Sequence, residues 1–275
     1  MSDRAEETAQ RYYDSADANA FYLSIWGGED IHVGLYNHPD EDVKTASRRT
    51  VDRLLGHLGD RPAGTPVADL GAVYGGAARV LASERGWRVA CVNIAANQNA
   101  INRELNAKAG LDALITVHEG SFNAVPLADA SVDVVWSQDA FLHGANRAQI
   151  IQEAARILRP GGDLVFTDPM RAVDARPEDL EAILRRIHLD DLATVPFYCE
   201  AADAAGLRVV SVEEHPDQLG AHYARVRAVL SEKRGQISAM SAPYLNAMLD
   251  GLGHWVEGAA AGRLTWAILH FRKPG

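Results

Sequence analysis

One run of residues carries the clearest chemical pattern in the chain: Val67-Ala68-Asp69-Leu70-Gly71-Ala72-Val73-Tyr74-Gly75-Gly76. A short apolar stretch ends in an acid, and a glycine-bearing turn follows. A helical pattern then opens on Ala77, Ala78, Val80 and Leu81, with Arg79, Ser83 and Glu84 expected on the other side. Glycine lets main chain approach a ligand closely, and the free N–H groups at the start of the next helix attract negative charge. A dinucleotide fingerprint counted from Gly71 needs glycine at 73, where the chain has Val73. A ligand-free strand-to-helix turn is the competing reading of this stretch. His32, His143, His222 and His254 are the candidates for a base, since imidazole titrates near neutrality. Tyr22, Trp26, Tyr36, Tyr223, Trp255 and Trp266 offer ring faces, and Arg171 a guanidinium that could pair a carboxylate. There is no Ser-His-Asp arrangement, and no Cys-x-x-Cys or His-x-x-x-His spacing, so no metal is expected.

The elements that must position these residues follow from length and pattern. The chain has 275 residues, 47% of them apolar, enough for one large α/β domain with a full core rather than a disordered chain. Its formal charge of −10 argues against a nucleic-acid surface, which wants a basic stripe. No apolar run reaches the ~20 residues a bilayer span needs, and the polar, acidic start lacks a signal-peptide core. A cytoplasmic protein is expected, acting on a small molecule, with no nucleic acid or membrane partner and with a homodimer as its assembly. Only Cys91 and Cys199 occur, one in a strand pattern and one in a helix pattern, and both are expected buried.

Along the chain, Phe21 to Tyr36 is rich in aromatics and glycine, as is Arg11-Tyr12-Tyr13-Asp14, which suits a segment packed over a site. Asp40 is expected to cap a helix that ends near Gly59. A strand is expected in the run from Val67 that ends in Asp69, and others at 87–93, 115–118, 132–136 and 164–167, with helices at 97–109 and 147–158 between them and Arg159-Pro160-Gly161-Gly162 as a turn. This alternation argues a parallel sheet covered on both faces. Helices follow at 179–187, 197–205, 219–233 and 242–257, with strands at 207–213 and 264–272.

Several stretches resemble one family. Gly120-Ser121-Phe122, then Ala130 through Val132-Asp133-Val134-Val135-Trp136-Ser137 to His143, then Leu158-Arg159-Pro160-Gly161-Gly162 are similar to the Rossmann-like S-adenosylmethionine-dependent methyltransferases. Asp69, Gly71 and Gly75 match that family's acid-x-G-x-G-x-G turn, with Val73 breaking its middle position. Finer detail resembles the sarcosine/dimethylglycine N-methyltransferases that make glycine betaine: Phe21-Tyr22 through Trp26 to Tyr36, Trp136-Ser137-Gln138-Asp139-Ala140, and Trp266 to Lys273. The resemblance implies one domain over 1–275. Within it lie a lid at 1–40, a cofactor-binding core at 41–215, a substrate-side helical insertion at 216–245, and a final helix and strand at 246–275. It implies a seven-stranded, mostly parallel sheet with the last strand antiparallel.

The resemblance also implies S-adenosyl-L-methionine as cofactor, held by Asp69, Gly71, Gly75, Asn93, Gln98, Ser121, Phe122, Gln138 and Trp26. It places the acceptor near Asp139, Tyr22, Arg171, His222, Tyr223 and Trp255, with His143 and His32 catalytic. Methyl transfer from a sulfonium is an in-line displacement in which orientation supplies roughly 7–11 kcal/mol, so no covalent protein nucleophile is needed. Rival readings are a natural-product O- or C-methyltransferase, and a methyltransferase fold that binds or cyclises without methyl transfer. The second is motivated by Val73, Ala95 and Ala96, which replace glycine, serine and glutamate on the expected cofactor surface. A nicotinamide oxidoreductase fits poorly, because no Tyr-x-x-x-Lys pair follows.

Overall fold

A computed structural model of the chain describes residues 16–26, 28, 30–144, 146–234 and 240–275. Expectations for Arg11-Tyr12-Tyr13-Asp14, Gly27 and Glu29 therefore lie outside the described residues. Helix α1 covers Ala16–Ser24 and α2 Val43–Leu58. Then come β1 (Pro66–Leu70), α3 (Gly76–Arg85), β2 (Arg88–Asn93), α4 (Ala96–Lys108), β3 (Ile115–Glu119) and β4 (Val132–Gln138). A single 3-10 turn at Phe141–His143 leads to α5 (Arg147–Ile157), β5 (Leu158–Arg171), α6 (Glu181–Ile187) and α7 (Val195–Ala204). The chain closes with β6 (Arg208–Glu214), α8 (Pro216–Lys233), α9 (Ala242–Ala260) and β7 (Leu264–Arg272).

The strands form one seven-stranded sheet in the order β3-β2-β1-β4-β5-β7-β6. All pairings are parallel except those of β7, which runs antiparallel to both β5 and β6. The central strands are apolar on both faces because helices cover both. On β4, Val134 and Trp136 join one core while Val132 and Val135 join the other. Ser137 ties β4 to its neighbour by donating from its hydroxyl to the Leu70 carbonyl at 2.6 Å.

Several boundaries differ from expectation. Asp42, not Asp40, caps α2, its side chain accepting from the Thr45 N–H at 3.1 Å. Arg79, expected on the solvent face of its helix, is buried, with Nη1 donating to Asn106. Trp87 lies fully buried just ahead of β2 instead of opening it. The turn at Arg159–Gly162 is absorbed into the head of β5. There the pairing shifts from Val132↔Leu158 to Val134↔Asp163, so the extra residues on β5 form an irregularity within the ladder. Residues 177–180 form a 3-10 turn ahead of α6, so the helix expected over 179–187 is shorter. Helix α9 runs unbroken across the 245/246 division. Cys91 is buried, but Cys199 is only half-buried.

Beside the irregular head of β5, Asp163 is fully buried. It accepts from His270 Nε2 at 2.8 Å and Arg272 Nε at 2.8 Å on β7, and from Arg61. Burial alone would raise its carboxyl, but the His270 and Arg272 donors outweigh that and hold it below the usual carboxylate range. This cluster pins the terminal strand to the parallel part of the sheet.

Candidate active site

The strand order reverses between β1 and β4, and open α/β sheets place ligands in the crevice outside the carboxyl ends of such strands. A cleft of about 690 Å³ opens there. Its walls are Gly71 and Val73 after β1, Asn93, Ile94, Ala95 and Gln98 after β2, and Gly120, Ser121 and Phe122 after β3. Gln138, Asp139, Ala140, His143 and Gly144 after β4, with Ile31 from the N-terminal segment, complete them. A polar recess adjoins it, sharing Ile31, Gly71, Val73 and Gln138 and adding Asp30, His32 and Asp69. Val73 therefore lines the crest without filling it.

Gly71 is required by packing as well as by its φ of +86°, because a Cβ there would lie 2.4 Å from the Ala140 Cβ. Asn93 is buried and donates to Gln98 Oε1 at 3.2 Å and Asn99 Oδ1 at 3.2 Å. Gln138 Oε1 accepts from Trp136 Nε1 at 3.0 Å. The Gln138 Nε2 is buried and has no protein partner. An amide donor at the cleft wall thus awaits an acceptor, a deficit that a bound ligand would repair. Phe122, Ile94 and Val73 supply an apolar bed beside it.

The acids are unusual. Asp69 is buried at the end of β1, and desolvation, helped by Asp30, raises its carboxyl to about 7. A cation placed in the recess would restore its charge. Asp139 stands at φ +50° immediately after β4. Its Oδ1 accepts from Trp266 Nε1 at 2.7 Å and its Oδ2 from the Val33 N–H, so one carboxylate joins the N-terminal segment to β7. Burial raises its pKa despite these donors. Sequence reasoning missed Asp168. Fully buried at the end of β5, it accepts from Tyr198 Oη at 2.6 Å and the Leu142 N–H at 3.1 Å. Desolvation pushes it up to about 8, Asp139 adding to the rise. Its signal was an acid in the apolar strand Phe166-Thr167-Asp168-Pro169.

The histidines divide. His143 lines the cleft, but burial, and then Arg147, lower it to about 4, so it is neutral near pH 7. His32 lines the recess. Its Nε2 lies 3.0 Å from the Ser47 carbonyl, which can only accept, so that nitrogen carries the proton and Nδ1 is left as acceptor. His222, expected at the acceptor, is instead fully buried on α8. Its Nδ1 lies 3.1 Å from the Gly34 N–H and 3.0 Å from Tyr36 Oη, where it anchors the N-terminal segment, and burial lowers it to about 3.

Other expected positions are also engaged elsewhere. Tyr22, Trp26, Tyr223 and Trp255 form a buried ring cluster beside His222, with Tyr223 stacked on Trp255 at 4.7 Å. None of the four lines the crest cleft or its recess. Arg171, expected to meet a substrate carboxylate, donates from Nε to Asp191 at 2.8 Å and from Nη1 to the Ala175 carbonyl at 2.9 Å. Gly75 does not line the cleft; it stands at φ +76° as the residue that caps α3. His254, the remaining candidate base, lies on α9, away from both hollows.

Comparison with known proteins points one way. A family model described as "Methyltransferase domain" matches residues 68–166. A dimethylglycine N-methyltransferase of Parasynechococcus marenigrum is 49% identical over 272 residues, covering 98% of this chain and 97% of the relative. A sarcosine/dimethylglycine N-methyltransferase of Aphanothece halophytica is 46% identical, with 99% of each chain covered. A crystal structure from Galdieria sulphuraria, provisionally assigned as a sarcosine dimethylglycine methyltransferase, superposes with a TM-score of 0.89 at 41% identity. That match covers 94% of this chain and 98% of the other.

Proposed function

The chain belongs to the sarcosine/dimethylglycine N-methyltransferases, which are S-adenosyl-L-methionine-dependent enzymes, and on that premise we propose that it methylates sarcosine and dimethylglycine at nitrogen to give glycine betaine. The observation that carries the acceptor is the reach of the likeness. It extends past the cofactor turn to the N-terminal segment and β7, the two pieces that meet at Asp139 beside the cleft.

When bound, S-adenosyl-L-methionine supplies a methyl carbon on a cationic sulfur, open to in-line attack by a nitrogen lone pair. In this reading Gly71, Asn93, Gln98, Ser121, Phe122 and Gln138 hold its adenosyl part, with the orphaned Gln138 donor satisfied by one of its acceptors. Asp69 takes its ammonium end. Asp139 attracts the cationic amine of the acceptor and, gripped by Val33 and Trp266, cannot swing away. A protonated amine has no lone pair, so its proton must leave first. His143 is a weak proton acceptor because burial, and then Arg147, disfavour its protonated form; its role is to close the cleft wall. His32, which lines the recess and has Nε2 engaged by the Ser47 carbonyl, is assigned the proton through Nδ1.

The proposal extends to a cytoplasmic homodimer acting on free small molecules. The net charge of −10 supports a substrate other than nucleic acid, and no helix among the described residues is long and apolar enough to cross a membrane. Radiolabelled methyl transfer against sarcosine, dimethylglycine and a panel of phenols tests it. Label is expected in both amines, and label confined to the phenols would overturn the assignment.

A further inference from the structure

Val73 stands at φ +47°, in the left-handed region that a β-branched residue enters only at a cost. Its carbonyl accepts from Asn102 Nδ2 at 3.3 Å, and Asn102 is fully buried on α4. Behind it, Asn102 Oδ1 accepts from Asn106 Nδ2 at 2.8 Å, and Asn106 Oδ1 accepts from Arg79 Nη1 at 2.9 Å. A guanidinium can only donate, so it fixes which end of Asn106 is oxygen, and Asn106 in turn fixes Asn102. The relay therefore has one direction, from Arg79 to the Val73 carbonyl, and each bond polarises the next. Gly75 belongs to the same arrangement: a Cβ there would lie 2.3 Å from Asn102 Oδ1. The Asn102 amide fills the space that the absent side chain leaves.

We propose that Asn102 is a positioning residue for the cofactor: its amide, oriented through Asn106 by Arg79, holds the left-handed turn at Val73 in the shape that lines the cleft. A buried amide network that merely satisfied itself would stabilise α4 without regard to the residue at 73. A clamp on a strained turn matters most while the strain is present, and loses its purpose when glycine, which adopts positive φ freely, stands there. The inference rests on the cofactor assigned above and not on the choice of acceptor.

Calorimetric titration with S-adenosylhomocysteine tests it, on the wild type, Asn102→Ala, Val73→Gly and the double variant. Losing one buried hydrogen bond behind the turn is expected to weaken binding about tenfold when Val73 is in place. In the Val73→Gly background the same change is expected to weaken it less than about threefold, so that the cycle shows coupling. Equal losses in both backgrounds, or none in either, overturn the proposal. If Asn102→Ala fails the far-UV circular dichroism check for folding, Asn102→Leu replaces it. That variant approximates the shape, removes the donor to Val73, and is expected to give the same pattern. A wild type that binds sulfonium and thioether cofactor forms normally but shows no coupling sinks this inference alone. A wild type that binds neither sinks the cofactor assignment with it.

Discussion

At the scale of single residues, Val73 stands in the turn proposed to hold the cofactor, where the resemblance led to an expectation of glycine. Its side chain lines both the cleft and the recess. Replacing it with glycine removes a left-handed cost of about 1–2 kcal/mol, while glycine's extra freedom in the unfolded chain takes back roughly 0.5–1 kcal/mol. The melting temperature of Val73→Gly should therefore stay near that of the wild type. The two methyl groups leave the wall with their Cβ, so S-adenosylhomocysteine should bind several-fold tighter by calorimetry; equal or weaker binding would show that Val73 does not crowd the ligand. The acid, Gly71 and the Gln138–Asp139 corner were legible from spacing, because each follows an apolar strand, whereas Gly75 caps α3 instead of lining the cleft. Partners across long sequence distances were not. Nothing local to Arg171, His222 or Trp255 announces that Asp191, Gly34 or Tyr223 already occupies it.

At the scale of elements, the order of strands and helices from 43 to 168 could be read directly, since buried strands and amphipathic helices alternate there. Helix α4 stands within a residue of the span expected for it, yet its buried face is inverted: Gln98, Asn99, Asn102 and Asn106 point inward, hydrogen-bonded to one another, to Asn93 and to Arg79, while Gln98 Nε2 has no protein partner. The same helix begins at Ala95 with no side-chain cap. Ala95→Ser should add about 1 kcal/mol of stability, a rise of roughly 2–4 °C in a thermal melt; no rise would mean the hydroxyl cannot reach the first-turn N–H groups. Asp163 holds β7 to β5. Its carboxyl is depressed, so its contribution is present above about pH 4 and lost as pH falls through its folded value. Asp163→Asn leaves three cationic or proton-bearing partners without a counter-charge and should cost about 3 kcal/mol in urea unfolding at pH 7. It should also flatten the loss of stability below pH 4, and a variant as acid-sensitive as the wild type would remove Asp163 from that role.

At the scale of the whole molecule, buried carboxyls with raised pKa values cluster at the crest: Asp69 at about 7 and Asp168 at about 8. Between roughly pH 4, where the unfolded carboxyls ionise, and these folded values, the native state holds protons that the unfolded state has released. Stability must then fall as pH rises across that window and level off above it. The ligand-free protein should melt at a higher temperature at pH 5 than at pH 8.5. Binding of a cationic ligand beside Asp69 should release a proton near pH 6.5, measurable as a dependence of calorimetric enthalpy on buffer ionisation heat; identical heats in phosphate and Tris would remove Asp69 from the binding reaction.

The bond set at Asp139 ties residue 33 to residue 266, across most of the polypeptide. The segment that carries the recognisable motif, 68–166, cannot finish its own cleft. A growing chain on the ribosome would present the complete cofactor turn long before it could close the wall beside it, because Trp266 emerges far behind that turn. Asp139 should thus be fixed only after β7 has left the exit tunnel, and a stop codon shortly before Trp266 should yield a protein that keeps its parallel strands and leaves Asp139 without its indole donor.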